Sequence, residues 1–221
     1  MKIAIHDSHS RFSDEWIKFA IESKISYEIV DMYDSNIMAK IRSYDGLMWH
    51  WQHNDYRAQI AAREIILSVE QLGIPVFPDY RTCWHYDDKV AQKYLLEAIG
   101  APLVPTYVFY DAEEALRWIE NTEWPIVFKL RGGAGASNVK LIRNEKDAVK
   151  VIKKMFGKGY PYACYKNDLK ERLWVLRRDK NKESIVHLMK GLCRVLIPKP
   201  GYSLLPTQKG YVYFQKFLSG N

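Results

Sequence analysis

The sequence predicts an α/β chain in two parts: a parallel-sheet domain over residues 1–80, then an α+β part carrying a basic, helical insertion at 161–209. Three observations lead there. Up to residue 80, short apolar runs alternate with segments of helical period, an order that requires crossover connections and hence a parallel sheet covered on both faces. Beyond residue 80 that alternation gives way to helices mixed with β-rich runs that pair as hairpins. Between Pro161 and Pro200 stand ten basic residues against four acidic ones, a net +6, so almost all of the chain's formal charge of +7 lies in this segment.

The elements follow in order. Lys2–His6 is the first strand, and Ser13 is placed to cap a helix with Trp16, Ile17, Ala20 and Ile21 on its inner face. Tyr27–Met32 is the second strand. Ile37, Met38 and Ile41 mark a short helix, and Gly46–Trp51 is the third strand. Asn54 or Asp55 then caps a longer helix with Ala58, Ala61, Ala62, Ile65, Ile66, Val69 and Leu72 at helical spacing; Gly73 stops it before a fourth strand, Ile74–Phe77. In the second part, Asp87 or Asp88 caps a helix over 89–99 with Val90, Tyr94, Leu95, Ala98 and Ile99 inward, and Gly100-Ala101-Pro102 ends it. Thr106–Tyr110 is a strand, and Asp111 with Glu114 forms a capping box for the next helix. Asn144–Met155 is a further helix with Ala148, Val151, Ile152 and Met155 on one face. Leu169, Leu173 and Leu176 then share one helical face, and Ile185, Leu188, Met189, Leu192 and Val195 another, with a turn at 179–182. A β-rich run, Tyr211–Leu218, closes the chain.

Composition narrows the function classes. With 48% apolar and 27% charged residues the chain reads as an ordinary soluble protein. No run of 18 apolar residues predicts a membrane-spanning helix. The opening Met-Lys-Ile-Ala-Ile-His-Asp meets a carboxylate too early for a secretory signal. Three widely spaced cysteines, Cys83, Cys164 and Cys193, fit a reducing cytoplasm. His6-Asp7-Ser8-His9-Ser10 stands where a dinucleotide-binding unit needs glycines, which argues against that function. His6, His9, His50 and His53 read as polar lining at the carboxyl ends of the strands, where open α/β sheets place ligands. They make a poor metal site, because the spacing of three between His50 and His53 turns the two rings to different faces of a strand end.

Residues 125–143 carry the most chemistry. A β-rich run, Ile126–Leu130, holds one lysine, Lys129; Gly132, Gly133, Ala134, Gly135, Ala136 and Ser137 follow, then a second β-rich run, Asn138–Arg143. Small residues in such a row let backbone N–H groups approach an anion unobstructed, and a lysine on the preceding strand adds a full charge. The glycines lie between two strands, as in a hairpin flap, and not at the mouth of a helix; a plain glycine-rich hairpin fits the same residues.

Four features in order resemble the ATP-grasp superfamily: Asp88-Lys89 opening a helix, Gly100-Ala-Pro-Leu-Val-Pro105, Pro125-Ile-Val-Phe-Lys129 before the glycine loop, and Phe214-Gln-Lys-Phe-Leu218. The resemblance implies a pre-ATP-grasp α/β domain over 1–80, an ATP-grasp subdomain over 81–160, the basic insertion at 161–209, and an adenine hinge opening a second subdomain at 210–221. It implies that Lys89 and Lys129 contact the phosphates of ATP and that Gly132, Gly133, Gly135 and Ser137 belong to the flap over them. Gln215, Lys216, Phe217 and Leu218 would hold adenine. The family usually has Glu where Gln215 stands, and many members have a proline after the strand lysine where this chain has Leu130-Arg131. The implied activity is that of an ATP-dependent ligase, joining a small-molecule carboxylate to an amine or thiol through an acyl phosphate. Catalytic residues, and the acids that bind Mg2+, are expected beyond Asn221 in a longer protein, since none in 1–221 matches the family's metal ligands. The alternative is a non-catalytic nucleotide-binding adaptor or regulator whose basic arm at 161–200 docks on an anionic surface or polymer. Tyr160, Tyr162, Tyr165 and Trp174 lie among those charges, but no recognised nucleic-acid motif accompanies them.

Overall fold

The computed structural model describes residues 1–8, 11–52, 55–132, 138–161, 169, 172–173, 175–177, 180–196 and 204–219. The chain divides into two compact units, Met1–Tyr86 and Asp87–Asn221. The first therefore runs six residues past the boundary read from the sequence, because Tyr80, Cys83 and Tyr86 pack into its core.

The first unit holds four parallel strands in the order β2-β1-β3-β4: β1 (Lys2–Ile5), β2 (Ser26–Ile29), β3 (Gly46–Met48) and β4 (Val76–Phe77). Helices α1 (Arg11–Glu22), α2 (Ile37–Lys40), α3 (Tyr56–Gln71) and α4 (Tyr80–Cys83) connect or follow them. Asp55 caps α3 by accepting the Arg57 N–H at 3.0 Å. Ala58, Ala62, Ile66 and Val69 form its buried stripe, and Gly73 ends the turn at φ +78°. Gly46 is required by close approach, since a Cβ there would stand 3.3 Å from the Ile3 side chain. Trp49 and Trp51, just beyond β3, are fully buried.

Two expectations for this unit fail. Ser13 lies inside α1 and does not cap it: buried, it donates to Asp7 Oδ1 at 3.0 Å. Ile21 faces solvent, 61% exposed, so the inner face of α1 is narrower than its apolar pattern. The strands are also shorter than their apolar runs; β3 stops at Met48, three residues before Trp51.

The second unit is built on an antiparallel sheet in the order β5-β8-β6-β7: β5 (Thr106–Phe109), β6 (Ile126–Lys129), β7 (Val139–Ile142) and β8 (Val212–Lys216). Around it stand α5 (Lys89–Ala98), α6 (Ala112–Ile119), α7 (Glu145–Met155) and α8 (Lys182–Leu196). Asp88, Asp111 and Asn144 cap α5, α6 and α7, each accepting a backbone N–H three residues on. Phe109, Ile126, Phe128, Ile142 and Phe214 join Ala115, Ile119, Ala148 and Ile152 of α6 and α7 in one core. Burying each such large side chain contributes about 1.5–3 kcal/mol. Phe214 stacks on Trp118 with ring centroids 5.7 Å apart, and Phe128 lies 5.4 Å from Tyr160. Gly159, at φ +73°, brings Tyr160 onto Gln208, and any Cβ there would meet the Gln208 carbonyl at 2.5 Å.

The inward face expected for α5 is not the one observed. Only Val90 of that helix is buried, while Tyr94 and Ile99 are exposed. In the basic segment α8 is helical as its period indicates, yet Ile185, Met189 and Leu192 are exposed. Most of the 162–179 stretch, Cys164 and Trp174 included, lies outside the described residues. Among the described residues no helix is long and apolar enough to cross a membrane.

Candidate functional site

Strand alternation divides the second sheet into an apolar face and a polar one. Ile126, Phe128 and Phe214 go to the core; Val127 and Lys129 of β6, Tyr213 and Gln215 of β8 and Thr106 of β5 share the other face, with Gln215 opposite both Thr106 and Val127 in the ladder. Lys129 ends β6 opposite Tyr213, and its Nζ donates to Gln215 Oε1 at 2.5 Å. The Gln215 amide donates in turn to Thr106 Oγ1 at 2.9 Å, and that hydroxyl donates to the Val104 carbonyl at 2.6 Å. This chain of donors ties three strands together and fixes which way the amide points. Its chemical consequence is that a neutral amide, not a carboxylate, answers Lys129. Half-buried, Lys129 has its pKa held below the ordinary lysine value by burial.

Lys89 reaches the same place from the first turn of α5. Burial lowers its pKa as well, and the Lys129 charge adds to that lowering, while Asp87 and Asp88 oppose it. The fold thus sets two lysines, forty residues apart in sequence, within electrostatic reach of each other. Like charges at a half-buried site repel, so an arriving polyanion finds a potential already in place.

Arg131 is the residue sequence reasoning passed over. Its N–H donates to the Tyr211 hydroxyl at 2.6 Å, which donates to Gln208 Oε1 at 2.8 Å; its carbonyl accepts the Lys89 N–H at 2.8 Å. Its guanidinium bonds Asp88 through Nε at 2.7 Å and pairs through a terminal nitrogen with the same oxygen. The other Asp88 oxygen caps α5 at Ala91, 2.9 Å away, and the Asp88 side chain is 4% exposed. The pair raises the Arg131 pKa, first through that hydrogen bond. Burial pushes the Tyr211 hydroxyl up to about 12, so it stays protonated and able to donate. The only sequence signal was an absence, the missing proline after the strand lysine.

Gly132 is buried directly after Arg131, and β6 and β7 pair antiparallel with Leu130 N–H on the Asn138 carbonyl at 3.1 Å, so the glycine stretch does join two hairpin strands. Gly133, Gly135 and Ser137 lie outside the described residues. Lys216 spends its backbone N–H on the Pro105 carbonyl at 2.9 Å, which removes one hinge donor from any adenine contact. Phe217 and Leu218, past the end of β8, are exposed. A cavity of ≈ 490 Å³ beside Phe217 is lined by Tyr107, Trp118, Trp124 and Lys216, and alternation puts Tyr107 and Lys216 on the face opposite Lys129.

In the first unit a polar cavity of ≈ 340 Å³ opens at the carboxyl ends of the strands, lined by His6, Ser8, Asp31, Tyr33, Asp55 and Arg57. His6 is buried, with Nδ1 3.1 Å from the Val30 carbonyl and 3.2 Å from the Met32 N–H. His50 stacks on Phe12 at 4.1 Å, and His9 and His53 lie outside the described residues. Among the described residues no group of three or more His, Cys, Asp or Glu side chains is arranged to hold a metal ion.

No family model matches the chain. The 2-oxoglutarate carboxylase small subunit of Hydrogenobacter thermophilus is 28% identical over 100 residues, a match spanning 41% of this chain and 21% of that subunit. Among solved structures, a RimK-domain ATP-grasp protein from Sphaerobacter thermophilus superposes over 99% of this chain and 64% of its own at TM-score 0.50 and 12% identity. The biotin carboxylase domain of the Hydrogenobacter thermophilus 2-oxoglutarate carboxylase, solved with MgADP, ADP and bicarbonate, superposes over 98% of this chain and 44% of its own at TM-score 0.53 and 15% identity. For D-cycloserine synthetase the figures are 98%, 59%, 0.51 and 15%. The chain has the ATP-grasp fold, and it spans less than two thirds of the length of each of these proteins.

Proposed function

We propose that the second unit binds ATP, with Lys89 and Lys129 on its phosphates, and that the chain is the nucleotide-holding portion of an ATP-dependent carboxylate–amine or carboxylate–thiol ligase acting through an acyl phosphate. One observation carries the reading: two half-buried lysines stand within electrostatic reach of each other, and Lys129 donates to the neutral amide of Gln215. Burying a cation is costly, and a triphosphate brings to two neighbouring lysines a charge of the opposite sign that charge-assisted hydrogen bonds recognise. ATP fits these residues on those grounds. The glycine stretch 132–137 would close over the phosphates, and the backbone groups of Phe217 and Leu218 would meet adenine, since the Lys216 N–H is taken. Mg2+ belongs to this chemistry; among the described residues no group of three or more His, Cys, Asp or Glu side chains is arranged to hold it.

Lys129→Met is the direct test. In isothermal titration calorimetry it is expected to weaken ATP binding by about tenfold or more, the loss of one charge-assisted contact. Its thermal midpoint should hold or rise, because a desolvated charge has been removed. Equal ATP affinity in variant and parent would remove Lys129 from the site.

A further inference from the structure

We infer that helix α8 seats the chain on an anionic lipid surface, its apolar stripe at the headgroup boundary and its lysines on the lipid phosphates, whether or not ATP is bound.

The side of α8 that the protein buries is the small one. Asn181 starts the helix by accepting the Ser184 N–H at 2.8 Å, and the 15 residues Lys182–Leu196 follow. Ser184 and Gly191, seven residues apart on one face, are buried, and Leu188 between them is half-buried. A Cβ at Gly191 would stand 2.5 Å from the Arg172 side chain and 3.4 Å from that of Leu169, so this face is packed closely. Arg172 also donates to the His187 carbonyl at 2.9 Å. The large side chains point the other way. Ile185, Met189 and Leu192, at i, i+4 and i+7, are exposed, Met189 by 56%, and the exposed Val186 and Cys193 widen the same stripe. An amphipathic helix ordinarily turns its large apolar side to the core. Single exposed apolar residues are commonplace, but a continuous stripe of them along one helix marks an interaction surface.

Charge selects the occupant. Lys182 lies one turn before Val186 and Lys190 one turn beyond it, both exposed, and Lys180 stands exposed just ahead of the helix; Glu183 is the exposed acid among them. The 161–200 segment around them carries a net +6. Uncharged side chains bordered by cations match an anionic bilayer, which offers phosphates directly above a hydrocarbon boundary. A second copy of the chain matches less well. A 15-residue helix is about 22 Å long, and one exposed stripe of it offers on the order of 200 Å² per copy, against about 800 Å² per partner in a standard interface. Pairing the stripes would also set two basic segments face to face. An interfacial helix meets neither obstacle, since its apolar side enters the headgroup boundary by roughly 5–10 Å and its cations find lipid charge there.

Vesicle flotation of the 221-residue chain, without nucleotide, tests this. The chain is expected to float with vesicles of mixed phosphatidylcholine and phosphatidylserine and to stay behind with phosphatidylcholine alone. Ile185→Ser/Met189→Ser keeps every charge and removes the centre of the stripe; it should weaken binding to the mixed vesicles by about tenfold or more. Lys190→Gln should weaken it about fivefold, the share of one cation near an anionic surface. Ile60→Ser, which alters an exposed apolar side chain on α3 of the first unit, should leave it unchanged. All four substituted side chains are exposed, so each variant is expected to melt with the parent by circular dichroism. Flotation with neither vesicle, equal flotation with both, or a serine variant that floats like the parent overturns the proposal. So does a lipid-free dimer in sedimentation equilibrium that the serine variant abolishes, which would give the stripe to a second copy.

Discussion

In the first unit charge is answered where it stands: Asp55 holds Arg57 through two nitrogens at 3.2 and 3.0 Å, accepts the Tyr33 hydroxyl at 3.0 Å, and Arg57 lies over the Tyr33 ring at 4.2 Å. In the second unit Arg131 pairs with Asp88, Lys89 lies within electrostatic reach of Lys129, and Gln215 supplies Lys129 with a neutral acceptor. Both units contain an acid–arginine pair, yet in the second two half-buried lysines stand within reach of each other and one of them, Lys129, meets a neutral amide. The difference teaches where to look for a ligand. A balanced network rigidifies its surroundings, whereas an unbalanced one is kept only where something else completes it.

The comparison breaks most decisively at the cores. Phe128→Ala empties a site packed by Tyr160 and Phe214 and is expected to destabilise the second unit by about 3–5 kcal/mol. Ile66→Ala does the same to the first by about 2–5 kcal/mol. Hydrogen exchange read separately on the two units checks both, with each loss confined to its own unit. If Phe128→Ala loosens both equally, the cores are not independent.

Gln215→Glu turns the second unit's network into a balanced one like the first. A carboxylate beside Lys129 is expected to raise that lysine's titration midpoint by about one unit or more. NMR titration of the lysine measures it, and an unmoved midpoint would mean that Gln215 does not set the charge on this face.

The pH dependence follows from the lowered lysines. Both titrate in the folded state below the ordinary lysine value of 10.5, so between those two values the unfolded chain binds more protons. Stability from these groups therefore rises with pH across that window, and below it their charge burial is a constant cost. ATP affinity moves the other way, falling on the alkaline side before ordinary lysines lose their protons. Denaturation and binding curves taken in parallel should show the opposed slopes, and Lys129→Met should flatten both.

The smallest expected effect is at a cap. Asp111→Ala removes the acceptor for the Glu114 N–H at 2.8 Å and should cost about 1 kcal/mol by urea denaturation.

How much of this was legible divides along the same line. The caps at Asp55, Asp88 and Asp111, the stripe of α3 and the Lys129 hairpin are local, written in a few adjacent residues, and they stand in the structure. What depended on distant partners was not. Arg131 meets Asp88 across 43 residues and Tyr211 across 80, and nothing in either neighbourhood names the other. Ser13 has the chemistry of a cap but sits within reach of Asp7 because α1 begins earlier than its apolar period. Tyr94 and Ile99 follow the helical period of α5 faithfully, yet Val90 alone of that helix is buried. Period gives a helix its stripe; the tertiary fold decides how much of the stripe is covered.

The central claim is that ATP phosphates lie on Lys89 and Lys129. An acyl-phosphate derivative of ATP transfers its acyl group to whichever lysine amine stands beside the phosphates, and mass spectrometry of the digested chain reads the labelled positions. The result expected is modification of Lys89 and Lys129, suppressed by excess ATP. Labelling confined to the lysines of the basic 166–199 stretch, or unaffected by ATP, would contradict it.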